Sequence, residues 1–327
     1  MKKILAPVLA VILILTMLSG CLVAKGVPYK LGMSVVLSYS DKQTGSISAD
    51  ANVAAVVLDE TGKIAACRID VVSSKVDVTD GFLGNGTAGL VFTSKYDLGD
   101  NYNMKTYGGA IAEWYEQADS FAKYCVGKTA EEVKNIAVDG GGKPTDADLL
   151  AGCTIGVDGY IDAVVKACED AHAVSFDAKD DIKLGLLAKG KVDSANDSEA
   201  NDGSVKLLLS FAATVTDTEG LLEAAIIDAA QPAFKYDDSG AMTEASYGGT
   251  KRELGDNYGM VAYAGAVAEW YEQAEHLCDW LIGLSAEDIK AVPDESGKAE
   301  NADLAASCTI NISGDIANIV TAMSKAK

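Results

Sequence analysis

The chain has 327 residues and a formal net charge of −21, because 48 Asp and Glu residues outweigh 27 Lys and Arg residues. This length allows one large domain or two domains of ordinary size. The acidic balance argues against nucleic acid or anionic lipid headgroups as electrostatic partners, since both require a basic surface. Hydrophobic residues make up 49% of the chain, which is enough to bury a core. Two histidines and no Cys-x-x-Cys pair argue against a zinc site of ordinary ligand spacing.

The N-terminal segment has the pattern of an export signal. Lys2 and Lys3 precede an apolar run over residues 4–18, which is short for a bilayer span and ends in small residues. The sequence Leu-Ser-Gly before Cys21 resembles a bacterial lipobox, which implies thioether lipidation of Cys21 and cleavage before it. The alternative is an ordinary signal with a chance cysteine. We predict a lipoprotein signal peptide over residues 1–21 and a mature protein anchored by lipid on the outer face of the cytoplasmic membrane.

The rest of the sequence is a tandem duplication. Leu98–Met104 returns with one change as Leu254–Met260, and Ala112–Ala118 returns unchanged as Ala268–Ala274. A repeat this long indicates tandem domains rather than a solenoid. We predict one domain over residues 27–172 and a second over residues 180–327. The polar stretch 169–181 joins them, and we expect the first domain to fold alone.

Each copy begins with predicted strands. Residues 32–38 and 53–58 are rich in β-branched side chains, the sequence Asp-Glu-Thr-Gly at 59–62 is typical of a turn, and residues 63–72 are again strand-like. This pattern predicts a β-hairpin.

Helices follow in each copy. Ile111, Trp114, Ala118, Phe121 and Cys125 have helical spacing and predict one apolar face, with Glu113 and Gln117 on the polar side. Two capping boxes, Thr129-x-x-Glu132 and Ser285-x-x-Asp288, predict short helices. A last helix in each copy carries one apolar stripe. The predicted class is α+β, with two tandem copies of a small antiparallel-sheet-plus-helices domain.

The sequence lacks the residues that several kinds of catalytic or binding site require. Neither histidine has a counterpart in the other copy, so a nucleophilic triad is not predicted. The Gly-rich sequence 139–142 lacks the Lys-Ser/Thr of a phosphate loop, and we interpret it as a turn. Six cysteines lie in apolar segments at unrelated positions, and we expect buried free thiols: Cys67, Cys125, Cys153, Cys168, Cys278 and Cys308.

One motif near the end of each copy carries a resemblance. The first copy reads Asp-Leu-Leu-Ala-Gly-Cys-Thr from Asp148 to Thr154, and the second reads Asp-Leu-Ala-Ala-Ser-Cys-Thr from Asp303 to Thr309. This resembles the covalent-flavin motif Asp-x-x-Ser/Thr-Gly-Ala-Ser/Thr of FMN-binding domains, which occur in extracytosolic subunits of Na⁺-translocating quinone reductases and Rnf complexes and in flavin-bearing lipoproteins. The hairpin over residues 56–71 also looks like the family's Val-x-x-Asp-Gly-Lys-Ile hairpin.

The resemblance implies FMN held by a phosphoester. The linkage would be on Thr154 and Thr309, with Asp148, Asp303, Gly152 and Cys153 as further cofactor-binding positions. We expect each threonine to open the final helix, where unpaired N–H groups and the helix dipole favour a phosphate. This chain departs from the family because Cys153 and Cys308 replace the motif's Ala and because the second copy lacks its Gly.

Two functions follow from these patterns. The first is an extracytosolic electron carrier with covalent FMN, whose partners would be a membrane oxidoreductase and a flavin transferase. The alternative is a non-enzymatic surface lipoprotein, a duplicated binding or structural module whose cofactor site has decayed. A solute-binding lipoprotein fits less well, since its usual lobes do not place strands first and helices last. No catalytic residue is predicted, and a carrier or binding protein is favoured over a stand-alone enzyme.

Overall fold

The computed structural model describes residues 26–40, 43–81, 83, 87, 89–178, 180–197 and 203–327. The predicted signal peptide and its lipidation site Cys21 lie outside these residues. Within them, no helix is both long and apolar enough to span a membrane.

Strands and helices are distributed over the two halves of the chain in the predicted order, with strands before helices. The strands are β1 (Val27–Tyr39), β2 (Ser46–Asp59), β3 (Ile64–Asp77), β4 (Val91–Thr93), β5 (Val174–Ala178), β6 (Lys183–Asn196), β7 (Gly203–Thr216), β8 (Leu222–Ala230), β9 (Ala233–Tyr236) and β10 (Met242–Ser246). The helices of the first half are α1 (Lys95–Leu98), α2 (Met104–Gly108), α3 (Trp114–Cys125), α4 (Ala130–Lys134), α5 (Ala147–Leu150) and α6 (Asp158–Cys168). Those of the second half are α7 (Lys251–Leu254), α8 (Met260–Ala264), α9 (Trp270–Trp280), α10 (Ala286–Lys290), α11 (Ala302–Ser307) and α12 (Ser313–Ser324).

The first sheet is antiparallel, with strand order β3-β2-β1-β5. β2 and β3 form the predicted hairpin, which is therefore confirmed. Asp59 fixes its turn, because the Oδ1 atom accepts hydrogen bonds from the backbone N–H groups of Thr61 (2.8 Å) and Lys63 (3.0 Å). Gly62 completes the turn with φ +77°, a conformation that favours glycine.

The second sheet has strand order β10-β9-β7-β6-β4, and β8 pairs with β7. β8 and β9 pair with successive parts of β7 and together take the place that β3 has in the first half. The break between β8 and β9 falls at Gln231 and Pro232. Proline explains it, since a residue without an N–H cannot donate to the sheet ladder.

Each sheet is buried on both faces. In β2, Val53, Ala55 and Val57 point into a core shared with the second sheet. Their neighbours Ala54 and Val56 point to the opposite face, where the helices of the first half lie. Strands buried on both sides are apolar at nearly every position rather than at alternate ones, and this explains the continuous apolar run in β2.

The helices cover the outer faces. α3 and α6 pack on the first sheet and α9 and α12 on the second, each pair with its own apolar cluster. The layers are therefore helices, first sheet, second sheet, helices. The α+β class is confirmed.

The two halves exchange strands. β4 lies within residues 27–172 but pairs with β6 of the second sheet, and β5, in the polar joining stretch, pairs with β1 of the first. A buried ion pair also joins the halves, with Arg252 Nη1 at 3.2 Å from Asp170 Oδ2. The predicted boundaries follow the repeat, but the units that they delimit share a core.

Candidate functional site

The repeated block Ala-Glu-Trp-Tyr-Glu-Gln-Ala forms the start of α3 and of α9. Trp114 and Trp270 are buried, as expected of core residues. The predicted helix start was wrong: Ile111 precedes the helix and is 56% exposed. Glu113 and Gln117, assigned to the polar side, are also buried, and they organise the site.

Glu113 joins two helices. It is the N-cap of α3, and its carboxylate accepts hydrogen bonds from the backbone N–H groups of Met104 (2.8 Å) and Lys105 (3.2 Å) at the start of α2. The backbone N–H of Glu113 donates to Glu116 Oε2 at 2.8 Å. The second half has the same contacts from Met260 and Val261 to Glu269, at 2.8 and 2.9 Å.

Gln117 brings the two repeated motifs together. Its Nε2 donates to the carbonyl oxygen of Ala112 at 2.9 Å, and its Oε1 accepts from the backbone N (2.9 Å) and Oγ1 (3.1 Å) of Thr154. Gln273 makes the same three bonds with Ala268 and Thr309, at 2.7, 2.8 and 3.2 Å. Both predicted threonines are therefore held by a buried amide from the other motif.

The predicted position of these threonines at a helix start was wrong. α6 begins at Asp158 and α12 at Ser313, so Thr154 and Thr309 lie in the preceding loops. The loop continues because the N–H of Val157 bonds to the carbonyl of Gly142 (2.8 Å) before the helix starts. Helix N–H groups thus do not contribute to an anion site at either hydroxyl, and in the described chain no Lys or Arg side chain donates a hydrogen bond to them.

The other predicted site residues are either exposed, as the two aspartates are, or packed against the helix-side core. Asp148 and Asp303 are exposed in the first turns of α5 and α11. Gly152 lies against α3, where an added Cβ would come within 2.8 Å of Ser120 Oγ and would require that side chain to move.

Cys153 does not contribute a side chain to the site. It is fully buried in the helix-side core, where burial raises the pKa of its thiol to about 11. Burial raises the pKa of Cys308 to about 11 as well. The six cysteines of the described chain are free, and five of them are buried as predicted, whereas Cys168 is only half-buried. Cys153 and Cys308 are inert packing residues.

An exposed segment adjoins each threonine. We name residues 107–112 and 263–268 the site loops; each consists of the last two residues of α2 or α8 and the connection to α3 or α9. Each contains a highly exposed tyrosine, Tyr107 (86%) and Tyr263 (91%), followed by an exposed β-branched residue, Ile111 (56%) and Val267 (61%). Because Gln117 bonds both Ala112 and Thr154, the end of the loop and the threonine hydroxyl lie on either side of one amide group.

A lysine also occupies the same place in both halves. Lys95 Nζ lies 5.5 Å from the ring centre of Tyr102 and 6.0 Å from that of Trp114. Lys251 Nζ lies 5.0 Å from Tyr258 and 4.9 Å from Trp270. Cation–π contacts of this kind hold α1 and α7 against the starts of α3 and α9. Sequence reasoning missed these lysines, although a comparison of the two copies would have found them.

Comparison with known proteins gives one distant relative. No family model and no solved structure matches the chain. A chlorophenol reductase from Desulfitobacterium hafniense is 26% identical, and the match covers 42% of this chain and 57% of that protein. The chain thus spans less than two thirds of that relative.

Proposed function

We propose that this protein is a lipid-anchored, extracytosolic electron carrier that holds FMN on Thr154, and on Thr309, through phosphoester bonds. The observation that carries the proposal is the Gln–Thr arrangement. In both halves one buried glutamine fixes a threonine whose side chain is not buried, at the position that the resemblance assigns to the flavin linkage.

The chain's own residues would hold and orient the cofactor. FMN, when bound, supplies the redox chemistry. Gln117 fixes the backbone and hydroxyl of Thr154, and Gly152 allows this segment to lie close to α3.

The surroundings support a carrier that meets its partners transiently. The net charge of −21 favours docking to a basic surface of a redox partner. A membrane oxidoreductase is the partner class that a lipid anchor on Cys21 would bring close. Attachment of FMN would require a flavin transferase.

One observation favours the alternative, a surface module with a decayed cofactor site. Each threonine hydroxyl already donates to a glutamine oxygen, so the Gln–Thr contact closes the loop onto the helix without any ligand. Both threonines lie in loops before α6 and α12 rather than at the helix starts, and this also favours the decayed module.

The deciding experiment is intact mass of the full chain produced together with a flavin transferase. We expect an added mass of one FMN less one water for each occupied site, and flavin fluorescence that survives a denaturing gel. Thr154→Ala should remove one addition while the fold persists, since it deletes one hydrogen bond of about 1 kcal/mol. Thr145→Ala, an exposed threonine in the segment before the site, is the matched control. No added mass on the wild-type chain would favour the decayed module.

A further inference from the structure

A groove in the second half of the chain is lined by lysines and by no carboxylate. It has a volume of about 230 Å³ and lies where β7, the break between β8 and β9, and the loop from β10 to α7 meet. We call it the lysine groove and define it by six of its lining residues: Lys206, Gln231, Gly248, Gly249, Lys251 and Tyr258. Asp and Glu outnumber Lys and Arg by 48 to 27 in this chain, yet neither acidic residue lines the groove. A concave surface lined by one sign of charge favours a ligand of the opposite sign.

Lys251 has no carboxylate within ion-pair distance among the described residues. Its Nζ lies 5.0 Å from the ring centre of Tyr258 and 4.9 Å from that of Trp270, and the residue is half-buried. The charge of Lys251 partly offsets the effect of burial on the pKa of Asp315, but that carboxyl is too distant for an ion pair and does not line the groove. The aromatic rings position the ammonium group and leave its charge without a counterion.

Lys206 is only loosely paired. Its Nζ lies 3.8 Å from Asp193 Oδ2, which is the outer limit of an ion pair, and its side chain is 41% exposed. An exposed pair of this length contributes little to stability. The ammonium group of Lys206 is therefore free to turn toward an anion in the groove.

The groove also has neutral donors without a partner in the described part of the chain. Gln231 Oε1 accepts a hydrogen bond from the Tyr258 hydroxyl at 3.2 Å, whereas Gln231 Nε2 donates to no described residue. The backbone N–H groups of Gly248 and Gly249 likewise donate to none. Gly249 has φ +129°, a conformation that favours glycine. Unpaired N–H groups beside two ammonium groups suit an acceptor that carries several oxygens.

The first half has the same fold but not the same groups. The cross-strand pairs Val53–Asp70 and Phe211–Asp228 align the two halves. In this alignment Ser48 and Ser73 stand in place of Lys206 and Gln231. The lysine over two aromatic rings is present in both halves, as Lys95 and Lys251. The fold therefore uses one lysine here, and the second lysine and the amide are additions that it does not require.

We propose that the lysine groove binds a small oxyanion with two negative charges, a phosphate or a dicarboxylate, between Lys206 and Lys251. Gln231 Nε2 and the N–H groups of Gly248 and Gly249 supply further hydrogen bonds to its oxygens. Pockets for drug-sized ligands have volumes of about 300–1,000 Å³, so this groove suits a smaller molecule. Thr309 and Gln273 do not line it, and the proposal does not depend on attached FMN.

Isothermal titration calorimetry of the full chain tests the proposal, with inorganic phosphate and succinate as separate probes in dilute potassium chloride at neutral pH. We expect saturable binding of one of these anions at one site per chain, and the tighter of the two identifies the ligand class. Lys206→Gln and Lys251→Gln should each weaken that binding by about tenfold or more, because each removes a charged partner of the anion. Lys206 is partly exposed on a strand, so its replacement should leave the thermal unfolding midpoint nearly unchanged.

The matched control is Lys95→Gln, which removes the equivalent lysine from the half that lacks the other groups. It should leave the affinity unchanged. Equal weakening by Lys95→Gln and Lys206→Gln would show a general effect of net charge and would overturn the proposal. Absence of saturable binding of both anions to the unaltered chain would overturn it as well.

Discussion

Gln117 and Gln273 show how much one buried side chain can organise. Each is fully buried and makes three hydrogen bonds that connect a helix, a loop and a threonine. Sequence reasoning placed Gln117 on the solvent side because amphipathic periodicity treats every polar residue alike. It cannot recognise a polar side chain whose partners come from distant parts of the chain.

Gln117→Leu should lower the free energy of unfolding by about 3 kcal/mol, because the carbonyl of Ala112 and the N–H of Thr154 lose their partner in a buried setting. Urea unfolding at neutral pH measures the change. Lys123→Ala, an exposed position of α3, is the control and should change stability little. Equal stability of the two variants would mean that water replaces the amide.

Asp70 and Asp228 are equivalent buried carboxyls. Each accepts hydrogen bonds from two backbone N–H groups, with Val71 and Tyr96 donating to Asp70. Burial outweighs these bonds and raises the pKa of Asp70 to about 7 and that of Asp228 to about 6. The folded state therefore binds protons more tightly than the unfolded state, in which an Asp pKa lies near 3.8.

The sign of the pH dependence follows from linkage. Between pH 4 and pH 7 the folded chain retains protons that the unfolded chain has lost, so these two groups make stability fall as pH rises through that range. Asp70→Asn keeps an acceptor oxygen but cannot titrate, and it should flatten the stability profile over this range. Unfolding midpoints at several pH values measure it, with exposed Asp148→Asn as control. A profile unchanged by Asp70→Asn would contradict a raised pKa.

Among the secondary-structure elements, helix starts were predicted correctly where the capping residues lie close together in the sequence. The Thr129–Glu132 capping box opens α4 as expected, because all of its partners lie within four residues. Helix starts that depend on distant partners were missed. α3 begins three residues after Ile111 because Glu113 takes an extended conformation to reach α2, and α6 begins four residues after Thr154.

Glu113→Ala should free the start of α2 and loosen the site loop without unfolding the protein. The N–H groups of Met104 and Lys105 lose their acceptor, so their amide hydrogens should exchange much faster. Hydrogen exchange read by mass spectrometry measures this. Glu132→Ala removes a comparable cap from α4 and should leave the exchange of residues 104–112 unchanged. Equal protection in both variants would show that the loop is held by other contacts.

For the molecule as a whole, the sequence predicted the repeat and the class but not the packing of the halves. The continuous apolar run over residues 53–58 could have predicted that β2 is buried on both faces, since a strand with one solvated face alternates apolar and polar residues. The strand exchange had no such signal. β4 and β5 are short, and their pairing partners lie in the other half of the repeat.

The fragment 27–172 should not fold as a stable monomer, contrary to the expectation from its sequence. It lacks β5 and exposes the inner face of the first sheet, including Val35, Val53 and Val57. Exposed apolar sheets favour association. Size-exclusion chromatography and thermal unfolding measure this, with coexpressed 173–327 as the rescue. A monomeric fragment with a cooperative transition would show that the helix-side core suffices.

The order of the layers places the two Gln–Thr sites on separate surfaces of the protein. The helices that carry the Gln–Thr sites form the two outermost layers, so the site of α3 and the site of α9 face away from each other, with both sheets between them. One docking partner of ordinary interface size cannot cover both. A molecule bound over one of these sites therefore leaves the other exposed.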